Sequence, residues 1–196
     1  MFHVREGDSI ILASESTRRV DILRLLGISF AVVPPDVDET RLKSEAPRSY
    51  VRRVAYEKAF KVGTHFPDRW VIGADTVVVY KNRVLGKPRN ENDALETLRL
   101  LRGKWHRVIT GYCILKVATN ITFQDVVETR VFVKDLSDEE IMQYIKTTEP
   151  LDKAGSYAVQ GRGGYMVKEI KGSYTNVVGL PACEVAEALL SLGVLS

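Results

Sequence analysis

Apolar and polar positions follow two rhythms along the 196 residues. A short apolar run at 9–13 reads as a strand. Ile22, Leu23, Leu25 and Leu26 then fit one face of a helix that Gly27 stops. Residues 28–33 read as a second strand, ended by Pro34 and Pro35. Pro47 suits the first turn of another helix, with Val51, Val54, Ala55, Ala59 and Val62 as its stripe and Gly63 at its end. Trp70–Tyr80 is apolar at nearly every position, as expected of a strand covered on both faces. The following YKNRVLGKP reads as a turn and a short returning strand. Asn90 caps a helix with Ala94, Leu95, Leu98 and Leu101 inward and Gly103 as its stop. Residues 107–118 and 126–133 read as paired strands joined by the polar TNITFQ. Ser137 and Glu140 match a capping box ahead of Ile141, Tyr144 and Ile145. A glycine-rich stretch, AGSYAVQGRGGY, precedes a strand at 166–170, and a last helix covers 182–192. Hairpin signals among βα units predict an α/β fold with a mixed sheet and flanking helices.

Composition narrows the class without naming it. Hydrophobic residues are 45% of the chain, enough for one sizeable core or one domain with two lobes. The formal net charge of +3 is a mild excess, and the basic residues are scattered rather than clustered with aromatic platforms, which argues against nucleic acid as a partner. No apolar run approaches the roughly 20 residues of a membrane helix. The opening MFHVREGDSIILAS does not read as a secretory signal, so a cytoplasmic setting is expected. Cys113 and Cys183 lack metal-ligand spacing and read as small core hydrophobes.

Several ionic residues sit where the pattern disfavours them. Asp75 lies inside WVIGADTVVVY, where a lone carboxylate costs several kcal/mol unless a cation or hydrogen-bond donors compensate it. It reads as a structural salt bridge or a cap on a bulge beside Gly73, or as a metal ligand or general base. Lys58 falls on the edge of the second helix's apolar stripe, as a snorkelling lysine or a site residue. Arg18 and Arg19 occupy the first turn of the opening helix, where exposed N–H groups disfavour cations. They are either solvated or neutralised by a bound anion, with Ser14, Ser16 and Thr17 as further donors. Lys87 sits between Gly86 and Pro88, so its backbone is stiff. Asp36, Asp38 and Glu39 place three acids in four residues of a loop, either idle in solvent or hard oxygen ligands for Mg²⁺. QGRGG at 160–164 lacks the spacing of known phosphate loops and suits a loop that closes over a base. Arg18, Arg19, Lys58 and Lys87 together would match a polyphosphate better than a single carboxylate.

The blocks LASESTRR, DVDET, AYEKA, GADTVV, GKP, PLDKAGSYAVQGRGG and GSYTNVVGLP occur in that order, and the chain resembles the Maf family of nucleoside triphosphate pyrophosphatases. It departs from the family's usual first block at Glu15, where Gly is common, and at Thr17, where Pro is common. The resemblance implies a single Maf-like domain over residues 1–196, an elongated α/β structure of two lobes with a central cleft, related to the inosine triphosphate pyrophosphatases. It implies hydrolysis of a nucleoside triphosphate to monophosphate and diphosphate, as nucleotide-pool house-cleaning with a link to cell-division arrest. Ser14, Arg18, Arg19, Lys58 and Lys87 would bind substrate, Asp75 would accept the proton, and Glu39 and Asp75 would hold a divalent cation, Mg²⁺ or Mn²⁺. Arg18, Thr76 and Gln160 match the branch acting on dTTP and UTP rather than the 7-methyl-GTP branch. Gln160 offers a donor and an acceptor to the O4/N3–H edge of uracil or thymine. A nucleotide-binding regulator of septum formation with little turnover is the rival implication, and a homodimer is left open.

Overall fold

The computed structural model of the chain describes residues 2–196. Its elements run β1 (Ile10–Ala13), α1 (Thr17–Leu25), β2 (Phe30–Val32), α2 (Pro47–Gly63), β3 (Trp70–Tyr80), β4 (Arg83–Leu85), α3 (Glu91–Leu101), β5 (Trp105–Lys116), β6 (Ile121–Val133), α4 (Asp138–Ile145), β7 (Val167–Lys171), α5 (Tyr174–Val178) and α6 (Ala182–Ser191). The seven-stranded sheet has the order β2-β1-β3-β5-β6-β7, with β4 on β3. β1 pairs in parallel with β2 and β3, while β4 and β7 pair antiparallel with β3 and β6, so the sheet is mixed as the pattern predicts.

The chain forms two compact units. The first comprises residues through Asp75, Thr110–Val127 and Gly179–Ser196. Its core packs α2 on the sheet through Ile11, Ala13, Ala55, Ala59, Val62, Val71, Cys113 and Leu115. The second comprises Thr76–Ile109 and Glu128–Val178. Its core gathers Ala94, Leu98 and Leu101 of α3, Ile141, Tyr144 and Ile145 of α4, and Val131 and Val133 of β6. Asn90 caps α3 by accepting the Asp93 amide, and Ser137 and Glu140 form the reciprocal capping box of α4.

Several expectations shift. The inward face of α1 is Arg19, Ile22 and Leu23, while Leu25 is 84% exposed. The helical spacing 19, 22, 23, 26 takes Arg19 as its first member and turns Leu25 out. Strand β6 begins at Ile121 rather than at 126, because Asn120 takes the left-handed conformation (φ 52°) and turns the chain tightly after β5. Cys183 is exposed, contrary to the core expectation; it shares the outer face of α6 with Glu187 and Leu190, whereas Val185, Ala186, Ala188 and Leu189 face inward. The short helix α5 has only five residues, too few to carry a helical apolar period.

Candidate active site

The site begins with how α2 meets the sheet. Its stripe is Val51, Val54, Ala55, Lys58, Ala59 and Val62, so Lys58 lies within the buried face rather than at its edge. The helix comes down on β3 at Gly73. A Cβ there would strike the Ala55 carbonyl and lie 2.8 Å from the Ala59 nitrogen, so only glycine permits this approach. Side chains two apart on a strand share a face, so Asp75 points the same way as Gly73, towards α2. Lys58 precedes Ala59 and meets it there: Lys58 Nζ donates to Asp75 Oδ1 at 2.9 Å, and both residues are buried. The register of β1 on β3 runs unbroken from Trp70 to Gly73.

Glu39 reaches the same ammonium from the loop after β2, with its Oε1 2.8 Å from Lys58 Nζ. That loop is tied to α2. Tyr50 Oη donates to the Glu39 carbonyl at 2.7 Å, and Arg53 donates to both Glu45 carboxylate oxygens and to the Thr40 carbonyl. The hydrogen bonds it donates to Glu45 raise the Arg53 pKa above its ordinary value against the opposing effect of burial. Burial, reinforced by the Asp75 and Glu39 charges, pushes the Tyr50 phenol up to about 12. Neither Tyr50 nor Arg53 was legible as a site residue; an Arg three after a Tyr on a helix is ordinary surface pattern.

Arg19 completes the cluster from α1. Its Nε donates to the Gly179 carbonyl at 2.8 Å and its Nη1 to Ser14 Oγ at 3.2 Å, while Ser14 Oγ also accepts the Ser16 amide. Burial lowers the Arg19 pKa below its ordinary value, Asp75 and Glu39 oppose that, and the neighbouring Arg18 adds to it. So Arg19 is held by design of the fold, not solvated, and Arg18 beside it is half-buried. The partner carbonyl lies 160 residues away in sequence, and nothing local announces it.

The structure therefore brings Ser14, Arg19, Lys58, Asp75 and Glu39 together in the first unit. Thr76 follows Asp75 on β3 and is half-buried. Lys87 and Gln160 belong to the second unit and are both exposed. There the Gly155 amide donates to the Gly86 carbonyl at 3.1 Å, tying the segment before Gln160 to the residue before Lys87.

Glu39 and Asp75 both make ion pairs with the Lys58 ammonium. Among the described residues no group of three or more His, Cys, Asp or Glu could cage a metal. Two carboxylates with the balance left to water and phosphate suit Mg²⁺, which dehydrates reluctantly and keeps such ligands. The donor set fits a hard divalent cation that arrives with an anionic substrate.

The mixed α/β sheet thus holds a buried carboxylate against a buried ammonium, with a second buried cation, Arg19, in the same unit. The fold resembles that of the Staphylococcus aureus Ham1 protein, with a TM-score of 0.50 over 94% of this chain and 98% of that one at 13% identity, a likeness of fold alone. The chain belongs to the Maf family: the family model described as Maf-like protein matches residues 9–192. It is 49% identical to the dTTP/UTP pyrophosphatase of Geotalea uraniireducens, over 94% of this chain and 95% of that protein. It is 45% identical to the dTTP/UTP pyrophosphatase of Syntrophus aciditrophicus, over 96% and 92% respectively.

Proposed function

We propose that this protein hydrolyses dTTP and UTP between the α and β phosphates, giving the nucleoside monophosphate and diphosphate, and so clears these nucleotides from the pool. The observation that carries this reading is the buried Lys58–Asp75 pair with Arg19 and Glu39 around it, in a chain nearly half identical to proteins named for that activity. A water attacks the α-phosphorus in line. Its oxygen forms the new P–O bond, the bond from that phosphorus to the α–β bridging oxygen breaks, and diphosphate leaves with the electron pair. The Asp75 carboxylate takes the water's proton. Lys58 orients that carboxylate before the reaction by donating to its Oδ1.

Arg18, Arg19 and Lys58 offset charge on the polyphosphate, and Ser14 fixes the Arg19 guanidinium through its hydroxyl. Glu39 and Asp75 would hold Mg²⁺ or Mn²⁺, which supplies charge neutralisation of the phosphates. Lys87 is assigned to the phosphates, and Thr76 and Gln160 to the pyrimidine. Gln160 matches the donor and acceptor of uracil or thymine, and a site built for one base edge rejects others strongly.

Product analysis with purified protein, Mg²⁺ and a panel of triphosphates including 7-methyl-GTP tests this. UTP and dTTP should yield monophosphate and diphosphate faster than the rest. Formation of nucleoside diphosphate and phosphate would overturn the position of cleavage, and a preference for 7-methyl-GTP would overturn the base assignment.

A further inference from the structure

The loop that carries Gln160 is exposed at its tip and anchored at its base by one carboxylate. Glu149 stands in a short 3₁₀ turn (Glu149–Asp152) just after α4. Its Oε1 accepts the Arg162 amide at 3.0 Å and its Oε2 accepts the Gly163 amide at 2.8 Å. The buried Tyr144 hydroxyl donates to the same carboxylate and accepts the Ala158 amide at 3.1 Å. Backbone groups on both sides of Gln160, at 158 and at 162–163, are therefore fixed through Glu149 and Tyr144. The glycine after Gln160 follows from this anchor. Gly161 has φ 94°, and a Cβ there would run into Glu149 Oε1. The close backbone approach that QGRGG permits is to the protein's own carboxylate.

Burial acts to raise the Glu149 pKa, but the Tyr144 hydroxyl, the Gly163 and Arg162 amides and Lys153 together hold it below the ordinary value. Glu149 is thus an ionised acceptor, and both of its oxygens are used.

We infer that Glu149 is a positioning residue for base selection: it sets the Gln160 side chain through the backbone on either side of it, without touching the nucleotide. This rests on the proposed role of Gln160 in reading the pyrimidine. Gln in place of Glu149 keeps the size but offers one acceptor oxygen where two amides need one each, so one amide faces a donor. The loop then loses its fixed geometry while its sequence is unchanged.

The test is a cycle of wild type, Glu149→Gln, Gln160→Ala and the double variant, with kcat/KM measured for UTP and CTP. Glu149→Gln should cut the UTP-over-CTP preference roughly tenfold, mostly through KM for UTP. Gln160→Ala should cut it as well, and Glu149→Gln should cause no further fall when Gln160 is already gone. Tyr144→Phe, which removes one support of the same carboxylate, should shift the preference in the same direction and serves if Glu149→Gln does not fold. Additive losses in the double variant would show that Glu149 acts elsewhere and would overturn the inference. An unchanged preference in Glu149→Gln, with Gln160→Ala impaired, would overturn it and leave the role of Gln160 intact. An unchanged preference in Gln160→Ala would remove the base assignment and this inference with it.

Discussion

Asp75 sits in a strand whose neighbours cannot solvate it, and Lys58 is the compensation. Removing one member of a buried ion pair costs about 3–5 kcal/mol because the other is left bare. Lys58→Met should therefore destabilise the protein by roughly that amount in denaturant melts. Asp75→Asn should cost less, because Lys58 retains Glu39. His106 gives a separate prediction about pH. It is buried, its Nε2 lies 2.7 Å from the Tyr157 hydroxyl, and burial lowers its pKa from 6.5 to about 4. The unfolded chain binds the proton first, so stability falls as pH drops. The contribution is complete above 6.5 and lost as the pH falls to about 4, about 3 kcal/mol in all. Melts at pH 7 and pH 4.5 should show the loss, and His106→Phe should flatten it. A slope unchanged by that substitution would refute the assignment.

At the scale of elements, the seating of α2 on β3 decides whether the site exists. Gly73→Ala pushes a methyl group into the Ala55–Ala59 turn of the helix. The expected cost is about 1–3 kcal/mol, as for other overpacked interfaces, with turnover reduced more than stability because Lys58 moves away from Asp75. Parallel melts and assays separate the two effects. Tyr50→Phe frees the Glu39 carbonyl from its hydrogen bond and loosens the loop. A neutral hydrogen bond contributes about 1 kcal/mol, so activation by Mg²⁺ should shift to roughly fivefold higher concentration. Much of this level could be read from the chain. The capping signatures at Asn90 and Ser137 and the apolar stripes located α2, α3 and α4, because local periodicity and side-chain-to-amide bonds are local facts. The inward position of Arg19 was legible in its spacing with Ile22 and Leu23, yet the apolar Leu25 drew the helix face the wrong way. What supports Arg19 and the Gln160 loop was hidden, since the Gly179 carbonyl and the Glu149 carboxylate act across long sequence distances.

For the whole molecule, five ionic or hydroxyl side chains, Ser14 just after β1, Arg19 of α1, Glu39 of the loop after β2, Lys58 of α2 and Asp75 of β3, come together in the first unit, all but Glu39 buried. The sequence showed Arg19, Lys58 and Asp75 as charges out of place, and the fold shows how each is balanced. The central claim is that this cluster is the hydrolytic centre and Asp75 its base. The most direct measurement is steady-state diphosphate release from UTP by Asp75→Asn, in a preparation whose melting curve shows it folded. The account predicts a fall of about a thousandfold or more against wild type. A folded Asp75→Asn protein that releases diphosphate within tenfold of the wild-type rate would contradict it.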